Sequence, residues 1–188
     1  MPVAAGAGLV LAVAWATATL DPTGPWFALV VVWAPMTALG TVSHVVPFRL
    51  PAWFHRLRPF EHDGRVYELL GVRAAKRLLR RPPVTWFNPR LRLPATRDDR
   101  SLVRLDASMR TAEASHAISF VVTIGVVGFA LVEGWWGGAA WMLAFDVVVN
   151  GYPVMLQRYN RVRLAAARAA LGAAPPTAPS RSGRPGAG

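Results

Sequence analysis

Residues 113–163 read EASHAISFVVTIGVVGFALVEGWWGGAAWMLAFDVVVNGYPVMLQRYNRVR, and this stretch decides the fold class. Between His116 and Arg158 the only charged residues are Glu133 and Asp146. A helix needs roughly 20 mostly apolar residues to cross about 30 Å of hydrocarbon, and the stretch supplies two such runs, at 113–135 and 138–157. Their connection, around Glu133-Gly134-Trp135-Trp136-Gly137-Gly138, is short, acidic and Trp-flanked, as at an outer membrane interface.

Working outward, residues 3–20 form an uncharged apolar run that ends at the turn signal Asp21-Pro22. No basic region precedes it, so it does not read as a signal peptide. Residues 26–46 form another run, in which Pro35 is a kink that neighbouring helices can tolerate. The chain has 188 residues, 53% of them hydrophobic, with 21 Lys+Arg against 10 Asp+Glu for a net charge of +11. In a soluble protein that excess would suggest nucleic acid or anionic lipid. Its placement argues against nucleic acid. No Lys or Arg precedes Arg49, 15 fall from Arg49 to Arg110, and the last six fall from Arg158 onward. With the positive-inside rule, both basic segments and both termini are expected in the cytoplasm.

The expected architecture is therefore an all-α membrane protein: four transmembrane helices with a cytoplasmic amphipathic helical segment between spans two and three. The loop runs over 49–112, a single membrane domain over 1–171, and a Gly/Pro/Ala/Ser-rich disordered tail over 172–188. With no Cys, a disulfide framework, a zinc-thiolate site, an iron–sulfur cluster and a cysteine nucleophile are excluded. In the loop, residues 68–81 (ELLGVRAAKRLLRR) put Leu69, Val72, Ala75 and Leu79 on one helical face and Arg73, Lys76, Arg77, Arg80 and Arg81 mostly off it. A basic amphipathic helix of this kind either attaches to anionic lipid or helps hold an anionic substrate.

Ionisable residues within a bilayer are functional candidates by default. Glu113 and His116 open span three at i and i+3, so the carboxylate can orient the imidazole as a general base; the alternative is that both cap the helix at the wet interface. The His-Glu-x-x-His and paired Glu-x-x-His metal patterns are absent, so no metal site is expected. Asp146, Asn150, Pro153 and Gln157 form a polar stripe in span four. It leads into Gln157-Arg158-Tyr159-Asn160-Arg161-Val162-Arg163, whose guanidinium groups could grip phosphates or merely snorkel. His44 reads as structural, and His55 and His62 as solvated loop residues.

At these residues the sequence resembles the glycosyl-4,4'-diaponeurosporenoate acyltransferases, small membrane enzymes of carotenoid glycoside biosynthesis. Three segments carry the likeness: Asn150-Gly151-Tyr152-Pro153 with Gln157-Arg158-Tyr159-Asn160-Arg161-x-Arg163, Glu113-Ala114-Ser115-His116, and Phe60-Glu61-His62-Asp63-Gly64 continuing through Tyr67, Val72-Arg73 and Lys76. Ala75 and Val162 stand where the family has an aromatic and a Pro. The resemblance implies transfer of a fatty acyl group, from acyl-CoA or acyl carrier protein, to a sugar hydroxyl of a glycosylated isoprenoid or glycolipid in the cell membrane, without a cofactor. Under that reading His116 is the base, Glu113 orients it, and Asn160 or Tyr159 stabilises the oxyanion. Gln157, Arg158, Tyr159, Arg161, Arg163, Asn150, Arg73 and Lys76 bind substrate. The rival readings are a non-catalytic membrane protein that binds anionic lipid or a partner enzyme, and another small lipid-modifying enzyme. No Gly-rich dinucleotide loop, His-x-x-x-x-Asp box or Gly-x-Ser-x-Gly elbow is present.

Overall fold

Helices α1 (Pro2–Thr19) and α2 (Pro25–Ser43) carry no charged residue on any side, as a segment surrounded by lipid must. The computed structural model describes residues 2–43, 45–79 and 99–173. Its remaining elements are α3 (Ala52–His55), a 3-10 turn (Pro59–Glu61), α4 (Arg65–Leu69), α5 (Val72–Leu79), α6 (Asp99–Val132), α7 (Trp136–Asp146), a π turn (Val147–Gly151) and α8 (Tyr152–Ala173). No strand occurs among the described residues. Four helical stretches are long and apolar enough to cross a membrane: Pro2–Thr19, Pro25–Ser43, Ser101–Val132 and Trp136–Ala169.

The apolar core joins all four stretches. Ala16 of α1 and Phe27, Ala28, Val31 and Val32 of α2 pack with Val127 and Ala130 of α6 and Ala139 and Met142 of α7. The α1–α2 connection is held by Asp21, whose carboxylate accepts from the Thr23 backbone N–H at 2.9 Å and from the Thr23 hydroxyl at 2.8 Å. Those two bonds, the backbone one foremost, keep the Asp21 carboxyl below its ordinary value. The start of α7 lies directly on this turn: a Cβ on Gly138 would meet the Pro22 carbonyl oxygen at 2.1 Å. Only a residue without a side chain allows that approach.

Three expectations about the elements are corrected. Helix α6 begins at Asp99 and runs for 34 residues, so Glu113 and His116 lie in its middle rather than at its start. At 1.5 Å per residue α6 is about 50 Å long, well beyond a hydrocarbon core of about 30 Å, so the charged stretch that reads as loop in a hydropathy sense is a helical extension. Second, span four does not end at Gln157, since α8 continues through the Arg cluster. The π turn between α7 and α8 has a local cause: Pro153 lacks an N–H and its ring would crowd the carbonyl four residues back. The chain widens there, with the Tyr152 N–H bonding the Val147 carbonyl. Third, the amphipathic segment is broken between Leu69 and Val72 into α4 and α5. Val72 is fully buried while Leu69 is 88% exposed, so the two do not share a face. Residues 80, 81, 44 and 174–188, including Arg80, Arg81, His44 and nearly all of the expected tail, lie outside the described residues.

Candidate active site

The α6–α8 interface builds the site, and four bonds fix its register. His116 is level with Asn150, Glu113 with Arg158 and Arg161, and Asp106 with Arg161. Later positions on α8 meet earlier positions on α6, so the two helices run antiparallel. The histidine, amide and guanidinium groups of the two long helices are thereby brought along one seam.

Two clusters lie along that seam, and a third joins α8 to α4 and α5. In the first, His116 Nδ1 is 3.1 Å from Asn150 Oδ1, and Asn150 Nδ2 donates to Asp146 Oδ1 at 2.7 Å. Asp146 and Asn150 are fully buried. Because the Asn150 amide nitrogen is committed to a carboxylate, its oxygen must accept from His116, which places the imidazole proton on Nδ1 and leaves a lone pair on Nε2. The buried Ser119 and Thr123 continue the same α6 face one and two turns beyond His116. Asn150 owes its position to the π turn, which it occupies together with Gly151. The expected Glu113–His116 contact is not formed.

Glu113 instead anchors the second cluster. Its fully buried carboxylate accepts from Arg158 Nη1 at 2.7 Å, Arg161 Nη1 at 2.9 Å and His55 Nδ1 at 2.9 Å. Arg158 also grips Glu61 through Nε at 2.7 Å and Nη2 at 2.8 Å, and reaches the carbonyls of Phe54 and Arg56. Arg161 adds Asp106 at 3.2 Å and the His55 carbonyl at 2.6 Å. A charge buried without partners is expensive, and these pairings satisfy every charge in the cluster. They also tie residues 54–61 to both long helices. Arg158 and Arg161 therefore have their donors engaged by protein groups. His55, expected to be solvated, is 5% exposed.

Glu61 is the residue that sequence reasoning left without a role. Burial pushes its carboxyl up, but the Arg158, Tyr67 and Arg58 N–H hydrogen bonds outweigh this and hold it down at about 2. Tyr67 is pushed up to about 12, by burial first and then by its bond to Glu61, so the phenol remains a donor. The sign of the linkage follows. A carboxyl depressed on folding contributes stability above its unfolded value near 4.5 and loses it as pH falls toward about 2. The thermal midpoint of the detergent-purified chain is expected to be flat above about pH 5 and to fall between about 4.5 and 2, with a shallower fall in Glu61→Gln. An equally steep fall in that variant would assign the acid sensitivity elsewhere. The nearby Gly64 has φ +72°, and a Cβ there would stand 3.1 Å from the Tyr159 ring, which is why glycine follows Glu61 at this spacing.

The third cluster faces α4 and α5. Lys76 Nζ donates to Asn160 Oδ1 at 2.9 Å, and the Tyr159 hydroxyl donates to Glu68 at 2.8 Å. Arg73 lies 3.3 Å from Glu68, while Lys76 and Arg163 stand over the Tyr159 ring at 5.8 and 6.0 Å. Asn160 is ten residues beyond Asn150, a rise of about 15 Å. It is thus not beside His116, and the expectation that Asn160 or Tyr159 faces the same reacting carbonyl is corrected on that distance. Gln157 is half-buried between these levels. Among the described residues no group of three or more His, Cys, Asp or Glu could hold a metal.

Fold and site together define an all-helical protein, suited to several membrane crossings, with a histidine-centred polar seam between its last two long helices. The chain belongs to the glycosyl-4,4'-diaponeurosporenoate acyltransferase family, which it matches over residues 51–170. The match takes in α3 to α8 and all three clusters, and its family name implies an acyltransferase acting on a glycosyl carotenoid. No curated protein and no solved structure matches the chain.

Proposed function

We propose that the chain transfers a fatty acyl group from a cytosolic thioester, acyl-CoA or acyl carrier protein, to a sugar hydroxyl of a membrane-embedded glycosylated isoprenoid. The observation that carries the reading is the His116–Asn150–Asp146 chain, within the stretch matched by the family. With its proton held on Nδ1, His116 has Nε2 available to accept the sugar hydroxyl proton. The oxygen attacks the thioester carbonyl carbon, the ester bond forms as the carbon–sulfur bond breaks, and the imidazolium returns the proton to the departing thiolate. Asn150 and Asp146 hold the tautomer and stabilise the imidazolium, the role first given to Glu113.

Arg73, Lys76 and Arg163, around Asn160, suit the anionic head of the donor, whose long arm would cover the roughly 15 Å to His116. The excess of cations at this end favours placing it, with both termini, on the cytoplasmic side of the cell membrane. Mass spectrometry of lipids from cells with and without the chain tests the reaction. An added acyl mass on a glycosylated isoprenoid is expected. Its absence, in cells that make both substrates and the folded chain, would overturn the proposal in favour of a non-catalytic lipid- or partner-binding role.

A further inference from the structure

Beside the clamp that Glu113, Glu61, Arg158 and Arg161 form lies a cavity of about 380 Å³, whose wall takes in His55, Asp106 and Arg161 of that cluster. Arg56, Arg110, Arg161 and Arg168 line it, with Asp106 as its one carboxylate. Arg161 is matched by Glu113 and Asp106, and Arg110 by Asp106 at 2.8 Å. Arg56 and Arg168 make no ion pair among the described residues. The two differ in setting: Arg56 is exposed, whereas Nε and Nη2 of Arg168 are buried without a hydrogen-bond partner.

Snorkelling does not account for Arg168. An arginine near the end of a span turns its head outward to be hydrated, but here two donor nitrogens are covered. Donor nitrogens covered without an acceptor are costly, and the planar fork of a guanidinium matches phosphate oxygens in pairs. Leu57 and Leu164 supply apolar wall beside the cations, so the cavity fits the junction between a phosphate and a chain. We infer that this cavity binds the phosphate or diphosphate group of an amphiphile, with Arg168 as the principal contact and the exposed Arg56 as the second one. The inference stands on the cavity and its unsatisfied donors and holds whether or not the chain turns over substrate.

The test is direct binding to the full-length purified chain. Calorimetric titration in neutral detergent uses inorganic pyrophosphate and coenzyme A as probes; phosphatidylglycerol is tested in nanodiscs against phosphatidylcholine alone. Wild type is expected to bind at least one anionic probe. Arg168→Gln should weaken that binding at least about tenfold, as loss of a charge-assisted bond does. Arg56→Gln should weaken it less, and Arg65→Gln, which removes equal charge from an exposed site, should leave it unchanged. Among the described residues Arg168 has no partner to lose, so its variant should elute and melt like wild type; Arg56→Gln carries the test if it does not. Response to pyrophosphate or coenzyme A assigns the site to a soluble phosphate, and response to phosphatidylglycerol alone assigns it to a lipid headgroup. Binding of none of these, or equal weakening by Arg168→Gln and Arg65→Gln, overturns the inference.

Discussion

His116→Ala is expected to lower acyl transfer by at least about 100-fold, the lower end of what a positioned general base contributes. The variant should still insert, purify and melt close to wild type, because among the described residues the His116 side chain bonds only Asn150 and lies outside the ion-pair cluster. Asn150→Ala should lower turnover less than loss of the imidazole does, since it frees the tautomer without removing the base. Turnover would be followed as acylated glycosyl product by mass spectrometry. Near-normal product from His116→Ala would remove the imidazole from the chemistry and leave its bond to Asn150 as a buried interhelical contact.

The second large effect is on stability. Glu113→Ala removes the carboxylate that Arg158, Arg161 and His55 share, leaving Arg158 to Glu61 and Arg161 to Asp106, and removing one member of a buried ion pair costs about 3–5 kcal/mol. That is comparable with the whole stability margin of many domains, so the variant is expected to give little folded protein, and what is recovered should melt far below wild type. Glu113→Gln keeps the acceptor oxygen and the volume but not the charge, and should fall between the two. Thermal melting of the detergent-purified variants measures this. Unchanged melting of Glu113→Ala would mean that the clamp does not hold residues 54–61 against the helices.

The long helices were legible because hydropathy over twenty residues is a local property. It identified the four stretches that, among the described residues, are helical and long and apolar enough to cross a membrane. It missed the beginning of α6 because the residues from Asp99 onward alternate charge with single apolar positions such as Leu102, which is 5% exposed; such a segment is helical through packing rather than through hydropathy. The family likeness was equally legible, being carried by the same Gln157 to Arg163 block that α8 presents to its neighbours. Pairings across the chain were not legible. That Glu113 would meet Arg158 and not His116, only three residues away, depends on the approach of a helix 45 positions later. His55 offered no signal of its own, as its partner lies 58 residues further on. Glu61 stood in a recognised motif, and its spacing to Gly64 was the clue that could have marked it.

The separation of the clamp's members has a consequence for how the chain is made. Glu61 and Glu113 are synthesised 97 and 45 residues ahead of Arg158, so both acids are in place before the cation that joins them exists. Contacts of such long range form late, after their loops have closed. Until the last helix enters, the growing polypeptide holds two carboxylates awaiting neutralisation, and the segment they will secure has no fixed seat. The clamp can therefore close only once α8 has been made: a chain truncated before Tyr152 lacks part of its fourth apolar stretch and every bond to Arg158 and Arg161.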